Sequence, residues 1–280
     1  MKKQQFILIG SGVILFCLIY FFGRRIPLKS NLAQPAPQST NIDINTILPA
    51  SKAQLTSQQQ VYVNQLENSV VRGDTRNQQA AIYKQLANFW KDSAHLLLPY
   101  AYYTGQAAEL ENSEKSLTFA AHFFLESLRQ QNEPGLKRWM ALEAKKLFEK
   151  ALLVNPDSDS LKIGLGSCYL FGNISDNPME GIQMIREVAE RDPKNMYAQY
   201  TLGMGAMVSG QLDKAIERLS VVIENQPENL EVMVMLAEAY EQKGDNVNAI
   251  RWYESAKKLI ENPDINGEID KRIRQLKKEN

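Results

Sequence analysis

The chain has few of the residues that build most catalytic and metal sites. Its 280 residues include only two cysteines and two histidines. The cysteines, Cys17 and Cys168, are too far apart to indicate a disulfide-stapled fold. Two histidines and one further cysteine also give no spacing typical of metal ligands. For His95, His122 and Cys168 we expect structural roles within packed helices. The sequence therefore predicts a protein that is not an enzyme and needs no cofactor.

No excess of charge of either sign is present, because 32 basic residues balance 32 acidic ones. This balance gives no overall basic surface of the kind that binds nucleic acid. The segment 1–29 nevertheless holds five basic side chains and no acidic one, so basic side chains are outnumbered by acidic ones in the remainder. The sequence thus predicts a basic N-terminus in front of a mildly acidic body.

A run of 17 uncharged, mostly apolar residues, Phe6 to Phe22, follows the short basic segment 1–5. It has the minimum length for a membrane-spanning helix, and basic residues flank it on both sides. No small-residue cleavage site follows it, so we expect an uncleaved transmembrane anchor at 6–23 rather than a signal peptide. The flanking charges nearly balance and decide the orientation weakly. A short N-terminus in the cytoplasm is favoured, which would place the body outside the cytoplasm.

Residues 24–50 are rich in Pro, Ser, Asn and Gln and show little helical periodicity. Such a composition buries too little apolar surface to order itself, so we expect a flexible tether. From residue 51 onward the pattern is helical throughout, with frequent turn signals and no alternation typical of strands. The sequence therefore predicts an all-α fold made of helical hairpins.

An internal repeat occupies the second half of the chain. Small residues recur at nearly even intervals, at Ala144, Gly181, Ala215 and Ala249. A period of about 34 residues in helix–turn–helix units resembles the tetratricopeptide repeat, TPR. Small residues allow close helix approach and large apolar ones fill the space between hairpins. The tryptophan that is common early in the first helix of the family is missing.

The stretch GMGAMVSG imitates a phosphate-binding loop but falls inside a predicted helix.

The resemblance implies an organisation for the whole body. We expect degenerate helical repeats at 51–158, three TPR units at 159–262 and a C-terminal capping helix at 263–280. In the capping helix Ile265, Ile269, Ile273 and Leu276 share one face, which would cover the last apolar surface of the array. TPR hairpins stack into a right-handed superhelix, so the fold expected is an α-hairpin solenoid behind one N-terminal transmembrane helix.

The resemblance also implies a binding surface, because first-helix side chains line the concave groove of TPR proteins. Carried onto this chain, the expected peptide groove is lined by Ile163, Ser167, Leu170, Phe171, Tyr197, Tyr200, Met204, Met207, Glu231, Val234, Glu238 and Glu241. The groove would change from aromatic and Met-rich to acidic. Such a surface suits an apolar or basic protein segment. Alternatively, the Tyr and Met side chains fill the superhelix interior against another helix of the same chain.

The overall organisation resembles that of membrane-anchored bacterial envelope TPR proteins. It implies a non-catalytic, membrane-tethered adaptor or scaffold that binds a protein or peptide partner, with no nucleic acid involved. An accessory role in cytochrome c maturation or envelope assembly is the alternative, and it requires the body to lie outside the cytoplasm.

Overall fold

A computed structural model of the protein describes residues 42–72, 75–175 and 177–278. In these residues the chain is helical and no strand occurs, which confirms the all-α prediction. The helices are α1 Ile44–Lys52, α2 Ser57–Arg72, α3 Arg76–Asn88, α4 Leu97–Glu111, α5 Glu114–Arg129, α6 Pro134–Val154, α7 Asp159–Gly172, α8 Met179–Arg191, α9 Met196–Val208, α10 Leu212–Asn225, α11 Leu230–Gln242, α12 Asn246–Lys257 and α13 Pro263–Leu276.

The predicted basic N-terminus (1–5), the anchor (6–23) and most of the tether lie outside the described residues. Among the residues that are described, no helix combines the length and the apolar character needed to cross a membrane. The predicted end of the tether at residue 50 is too late, because α1 already begins at Ile44. Asp43 caps this helix by accepting hydrogen bonds from the backbone amides of Asn45, at 2.9 Å, and Thr46, at 3.2 Å.

Ten of the helices form five consecutive hairpins: α3 with α4, α5 with α6, α7 with α8, α9 with α10, and α11 with α12. The second helix of one hairpin packs on the first helix of the next, as α6 does on α7 and α8 on α9. The first helices α5, α7 and α9 also contact one another in sequence order. This arrangement is an α-hairpin solenoid, in which each unit packs mainly on its neighbours.

Small residues bring the paired helices of the repeat region close together. A Cβ atom on Gly166 of α7 would lie 2.7 Å from the carbonyl oxygen of Gly181 in α8. At this crossing the two backbones are therefore almost in contact, and a larger residue at either position would push them apart. Ala215 and Ala249, which occupy the position of Gly181 in the next two units, are fully buried. The role predicted for the small residues is confirmed.

Large aromatic residues hold the preceding helices together. After α3 the chain continues into a π-helical turn, Phe89–Ser93, in which Trp90 is fully buried. Phe124 of α5 meets Trp139 of α6 edge to face, with ring centroids 5.5 Å apart. In this region the core combines Leu and Ala side chains with large aromatic rings, and we attribute the loss of a regular period in the sequence to these rings.

The C-terminal helix α13 covers the end of the array against α12. Ile273 and Leu276 are buried in a cluster with Ala249 and Tyr253, and Ile269 packs against its edge. The sequence placed Ile265 on the same buried face, but this residue is half exposed. The buried packing of α13 comes from Ile273 and Leu276 in its last two turns, and Ile265 in its first turn is not part of this cluster.

Candidate functional site

The predicted groove residues of α7 belong mainly to the packed interior. Ile163 is 1% exposed and Ser167 is 2% exposed. The Ser167 hydroxyl donates a hydrogen bond to the Ile163 carbonyl at 2.8 Å, so it is satisfied within its own helix. A partner cannot reach either side chain, which corrects the prediction for these two residues.

Leu170 and Phe171, at the end of α7, are partly buried and point to different neighbours. Leu170 faces α9, where a Cβ on Gly205 would lie 2.7 Å from its Cδ2 atom. Phe171 packs against the core that α5, α6 and α7 share. Neighbouring residues on a helix face different directions, so α7 does not present its four predicted residues as one surface.

The tyrosine and methionine side chains of α9 contact a residue that the sequence analysis did not select. Arg129, the last residue of α5, donates hydrogen bonds to the Tyr200 hydroxyl at 2.8 Å and to the Glu231 carboxylate at 3.2 Å. Its Nη2 also lies 3.1 Å from the Met204 sulfur. The guanidinium carbon is 5.7 Å from the centre of the Tyr200 ring, a cation–π contact.

These contacts form a network that joins α5, α9 and α11 across the face of the first helices. The Tyr200 hydroxyl also donates a short hydrogen bond to the Glu231 carboxylate. Partial burial and this hydrogen bond raise the pKa of Tyr200 to about 12, so the hydroxyl remains protonated. Tyr200 and Met204 are therefore partly buried and in contact with another helix of the same chain.

Tyr197 takes part in a neighbouring aromatic contact. Its ring lies 6.2 Å from that of His122 in α5, and His122 meets Phe148 edge to face at 5.1 Å. Burial raises the pKa of Tyr197 to about 12 and lowers the pKa of His122, although the carboxylate of Glu126 opposes the second shift. His122 is therefore a packed histidine, as the sequence predicted.

A common spacing could have identified Arg129. The predicted residues of α9 (Tyr197, Tyr200, Met204 and Met207) lie at intervals of three, four and three, and those of α11 have the same intervals. In α5 this spacing selects Phe119, His122, Glu126 and Arg129. The three, four, three spacing is thus present in α5, but it identifies Arg129 only when the position of α5 within its repeat is known. That register is hidden because its hairpin partner α6, which extends from Pro134 to Val154, is longer than the second helices of the repeat region.

The acidic end of the surface lies on α11, where Glu241 is paired, as Glu231 is. Glu241 accepts two hydrogen bonds from the Arg272 guanidinium of α13 and a third from the Tyr253 hydroxyl at 3.1 Å. The hydrogen bonds from Arg272 lower the pKa of Glu241. This residue connects α11 to the capping helix, so it is committed to structure.

Glu238, one turn earlier on α11, has no ion pair or hydrogen bond from its side chain within the described part of the chain. Partial desolvation, together with the nearby charge of Glu241, raises the pKa of Glu238. Val234 lies one turn before it and is partly exposed, as is Met207 on α9. An unpaired carboxylate beside accessible apolar side chains is the part of the predicted groove that remains open to a partner.

The remaining candidates for chemistry have structural surroundings. His95 lies in a turn at φ +54°, and its Nδ1 is 3.1 Å from the Lys91 carbonyl oxygen. Cys168 is buried, its thiol donates to the Gly164 carbonyl, and burial raises its pKa. The glycines of GMGAMVSG fall within or just after α9, as predicted. The residues that the structure describes contain no group of three or more His, Cys, Asp or Glu suited to a metal ion.

The fold and this surface define the class of protein: an array of stacked α-hairpins whose first helices share one face. Residues 200–263 match the family described as Tetratricopeptide repeat. That match covers α10, α11 and α12 and most of α9, so the likeness to the family is found in this part of the chain. The prediction made from the spacing of small residues is confirmed there.

Individual proteins are similar to this chain over different shares of its length. Anaphase-promoting complex subunit 3 of Dictyostelium discoideum is 31% identical over 99 residues, which are 34% of this chain and 10% of that protein. The chain thus spans about a tenth of that relative. MamA of Desulfovibrio magneticus RS-1 is 20% identical with a TM-score of 0.45, covering 67% of this chain and 96% of that one. YrrB, a TPR protein with an unusual peptide-binding site, is 18% identical with a TM-score of 0.43, covering 74% and 97%.

Proposed function

We propose that this protein is a membrane-tethered TPR scaffold that binds a segment of a partner protein along the open face of α9 and α11. The tetratricopeptide match at residues 200–263 supports a role in protein interaction. So does the likeness to a protein that is itself named as a subunit of a complex. The role is non-catalytic and uses side-chain complementarity alone.

The observation that carries the proposal is the unpaired carboxylate of Glu238. Glu238 is exposed, so a cation of a binding partner can reach its carboxylate and form a charge-assisted hydrogen bond with it. Val234 and Glu238 lie one turn apart on α11 and share a face, with Met207 of α9 as a further accessible apolar residue. This combination suits a segment that carries a Lys or Arg next to an apolar residue.

The Arg129 network limits where that segment can lie. Tyr200, Met204 and the carboxylate of Glu231 are held by Arg129 of α5. A partner that entered between them would have to break these hydrogen bonds. We therefore place the binding surface beyond Glu231, on the side of Val234 and Glu238.

Membrane tethering belongs to the same proposal and is supported by sequence alone. The uncharged stretch from Phe6 to Phe22 is flanked by basic residues, and the Pro- and Gln-rich segment after it would let the body stand away from the bilayer. An extracytoplasmic body would be compatible with the alternative role in cytochrome c maturation or envelope assembly. A reporter fused after Asn280 that is active only in the cytoplasm would exclude that alternative.

In-cell photocrosslinking tests the partner surface. A photoreactive amino acid at Val234 of the full chain should capture a specific protein, and Glu238→Lys should reduce that crosslink at least about tenfold, because repulsion replaces attraction. Glu224→Lys is the matched control, since Glu224 is an exposed glutamate on the second helix α10. If Glu238→Lys leaves the crosslink intact, or if Glu224→Lys removes it equally, the surface is wrongly assigned.

A further inference from the structure

A recess of the repeat array is lined by residues other than Val234, Glu238 and Met207, which form the proposed partner surface. It is a cavity of about 150 Å³ between the hairpin of α7 and α8 and the hairpin of α9 and α10. The end of α7, the start of α8, the end of α9 and the start of α10 meet there. Among the described residues, its lining contains apolar side chains, basic side chains and the neutral polar Ser209 and Gln211, but no acidic side chain.

The apolar wall consists of Leu170, Ile182 and Leu202, which come from three different helices. None of the three is fully buried, so each keeps part of its surface towards the cavity. Gly205 preserves the space, because a Cβ there would lie 2.7 Å from the Leu170 side chain and would push Leu170 into the opening. The cavity therefore has a preformed apolar interior that a single side chain could occupy.

The basic wall consists of Arg186, Lys214 and Arg218. Within the described residues none of the three forms an ion pair. Arg218 donates to the Gln199 side-chain oxygen at 2.9 Å, and Lys214 donates to the Gln211 side-chain oxygen at 2.7 Å. Both acceptors are neutral, so these bonds orient the two cations without cancelling their charge.

Another recess lined by basic side chains differs from this cavity in how its cations are paired. Beside α12 and α13, Lys257 is paired with Asp270 at 2.6 Å, and Lys277 lies 3.6 Å from Glu254. Two of the four cations that line this recess are thus paired with carboxylates that line it too. At the cavity beside Arg186, by contrast, three cations surround an apolar interior, and none of the described lining residues carries a carboxylate. The helices α8 and α10 also begin at this cavity, and the positive ends of their dipoles add to the potential.

We propose that this cavity binds an acidic peptide segment that carries one apolar anchor residue. The charge complementarity selects Asp and Glu side chains, and the apolar wall selects the anchor. The volume favours a peptide over a lipid or a cofactor, because sites for drug-sized ligands typically measure about 300 Å³ or more. The site differs from the proposed partner surface in place and in sign of charge, so the scaffold would bind two segments of opposite charge at once.

Fluorescence polarisation with defined peptides tests this inference on the detergent-solubilised full chain. The probe is a fluorescein-labelled heptapeptide. Its central residue is leucine, and each of the remaining positions is Asp or Glu. It should bind, and binding should weaken as NaCl is raised, because the contacts are charged and partly exposed. Replacing the leucine by serine should raise Kd by about tenfold, which is the loss expected when one buried apolar side chain is removed.

Variants of the protein locate the site. The double substitution Arg186→Gln with Lys214→Gln should raise Kd by about tenfold, since two exposed charge pairs are lost. Lys162→Gln is the matched control, because Lys162 lies on the same helix as Leu170 but about 12 Å away along the axis. It should leave Kd unchanged. Circular dichroism should show the same helix content for all three proteins.

Four outcomes would overturn the inference. One is the absence of binding at a peptide concentration of about 1 mM, the weakest affinity that the assay measures. A second is equal binding of the leucine and serine peptides, and a third is an equal loss of affinity in Lys162→Gln. The fourth is displacement of the labelled peptide by decanoate, which would identify the site as one for an acyl chain.

Discussion

The two halves of the described chain pack their helices by different means. In the repeat region, Gly166 and Gly181 let the backbones of α7 and α8 approach until a single Cβ atom would not fit. In the preceding hairpin, Phe124 and Trp139 fill the space between α5 and α6 with an edge-to-face ring pair. Small residues thus permit close backbone approach at this crossing of the repeat region, whereas a pair of rings separates the helices of the preceding hairpin.

Polar contacts show the same contrast. In the first half, the Tyr103 hydroxyl donates to Glu67 of α2 at 2.5 Å, and Glu109 pairs with both Lys146 and Lys150. These contacts connect particular helices and have no counterpart at the same position of the next hairpin. When the same packing contact recurs in every unit, the same residue types recur in the sequence at a fixed interval. When a contact occurs only once, its residues have no equivalents at that interval, and the period is lost.

The junction between the halves should be the most sensitive position. Phe148 of α6 is fully buried, its ring faces His122, and a Cβ on Gly164 of α7 would lie against the same ring. We expect Phe148→Ala to lower the free energy of unfolding by about 3–5 kcal/mol, because it leaves a large cavity. Urea unfolding followed by circular dichroism measures the change.

Phe119→Ala is the control for that substitution. Phe119 lies on α5 and is 57% exposed, so its removal should change the free energy of unfolding by less than about 0.5 kcal/mol. An equal loss of stability in the two variants would contradict the assignment of Phe148 to the core at the junction.

The glycine contact should be the next most sensitive. Gly166→Ala adds a methyl group against the Gly181 carbonyl, which belongs to the backbone and cannot rotate away. Overpacking costs about 1–3 kcal/mol or more, and the better helix propensity of alanine returns about 1 kcal/mol. We expect a net loss of about 2 kcal/mol, measured as a lower midpoint of urea unfolding.

Gly105→Ala in α4 provides the comparison from the first half. Its Cβ would lie 3.3 Å from the Phe124 ring, a side chain that can shift by a few tenths of an ångström. The net change should therefore be within about 1 kcal/mol of zero. If Gly105→Ala destabilises the protein more than Gly166→Ala does, small residues are not what sets the helix spacing of the repeats.

The difference between the halves also explains what the sequence could predict. The recurrence of Ala144, Gly181, Ala215 and Ala249 identified the hairpins because each residue has the same role in its own unit. The register of α2 to α4 was not predictable, because Trp90 and Tyr103 have contacts that occur once. The π-helical turn at Phe89–Ser93 also has no repeated counterpart.

The candidate site was predictable in its helices but not in its side chains. Helical spacing placed Tyr200 and Glu231 on the first-helix face, and the structure has them there. It could not show that Arg129, far earlier in the chain, would contact both. Contacts between α5 and α9 depend on how far the array curves, which results from the summed packing of every unit. The same limit applies to Ser167, whose burial depends on the neighbouring helices.

The smallest effect we expect is a dependence of the free energy of unfolding on pH, which comes from His122 at the junction between the halves. Burial between Phe148 and Tyr197 lowers the pKa of His122 below its ordinary value of 6.5. Above pH 6.5 the ring is neutral in both states and the contribution to stability is fully present. As the pH falls from 6.5 towards the folded pKa, the unfolded chain takes up the proton first, so the folded state loses stability.

Urea unfolding at several pH values, compared between the wild type and His122→Gln, isolates this contribution. The wild type should lose more stability than the variant as the pH falls below 6.5. The carboxyl groups of Glu143 and Glu238, whose pKa values are raised, titrate alike in both proteins and cancel. Glu126→Gln sharpens the test, because removing the carboxylate that opposes the shift should lower the pKa of His122 further and steepen the loss. Parallel curves for all three proteins would show that the His122 ring is as well solvated in the folded chain as in the unfolded one.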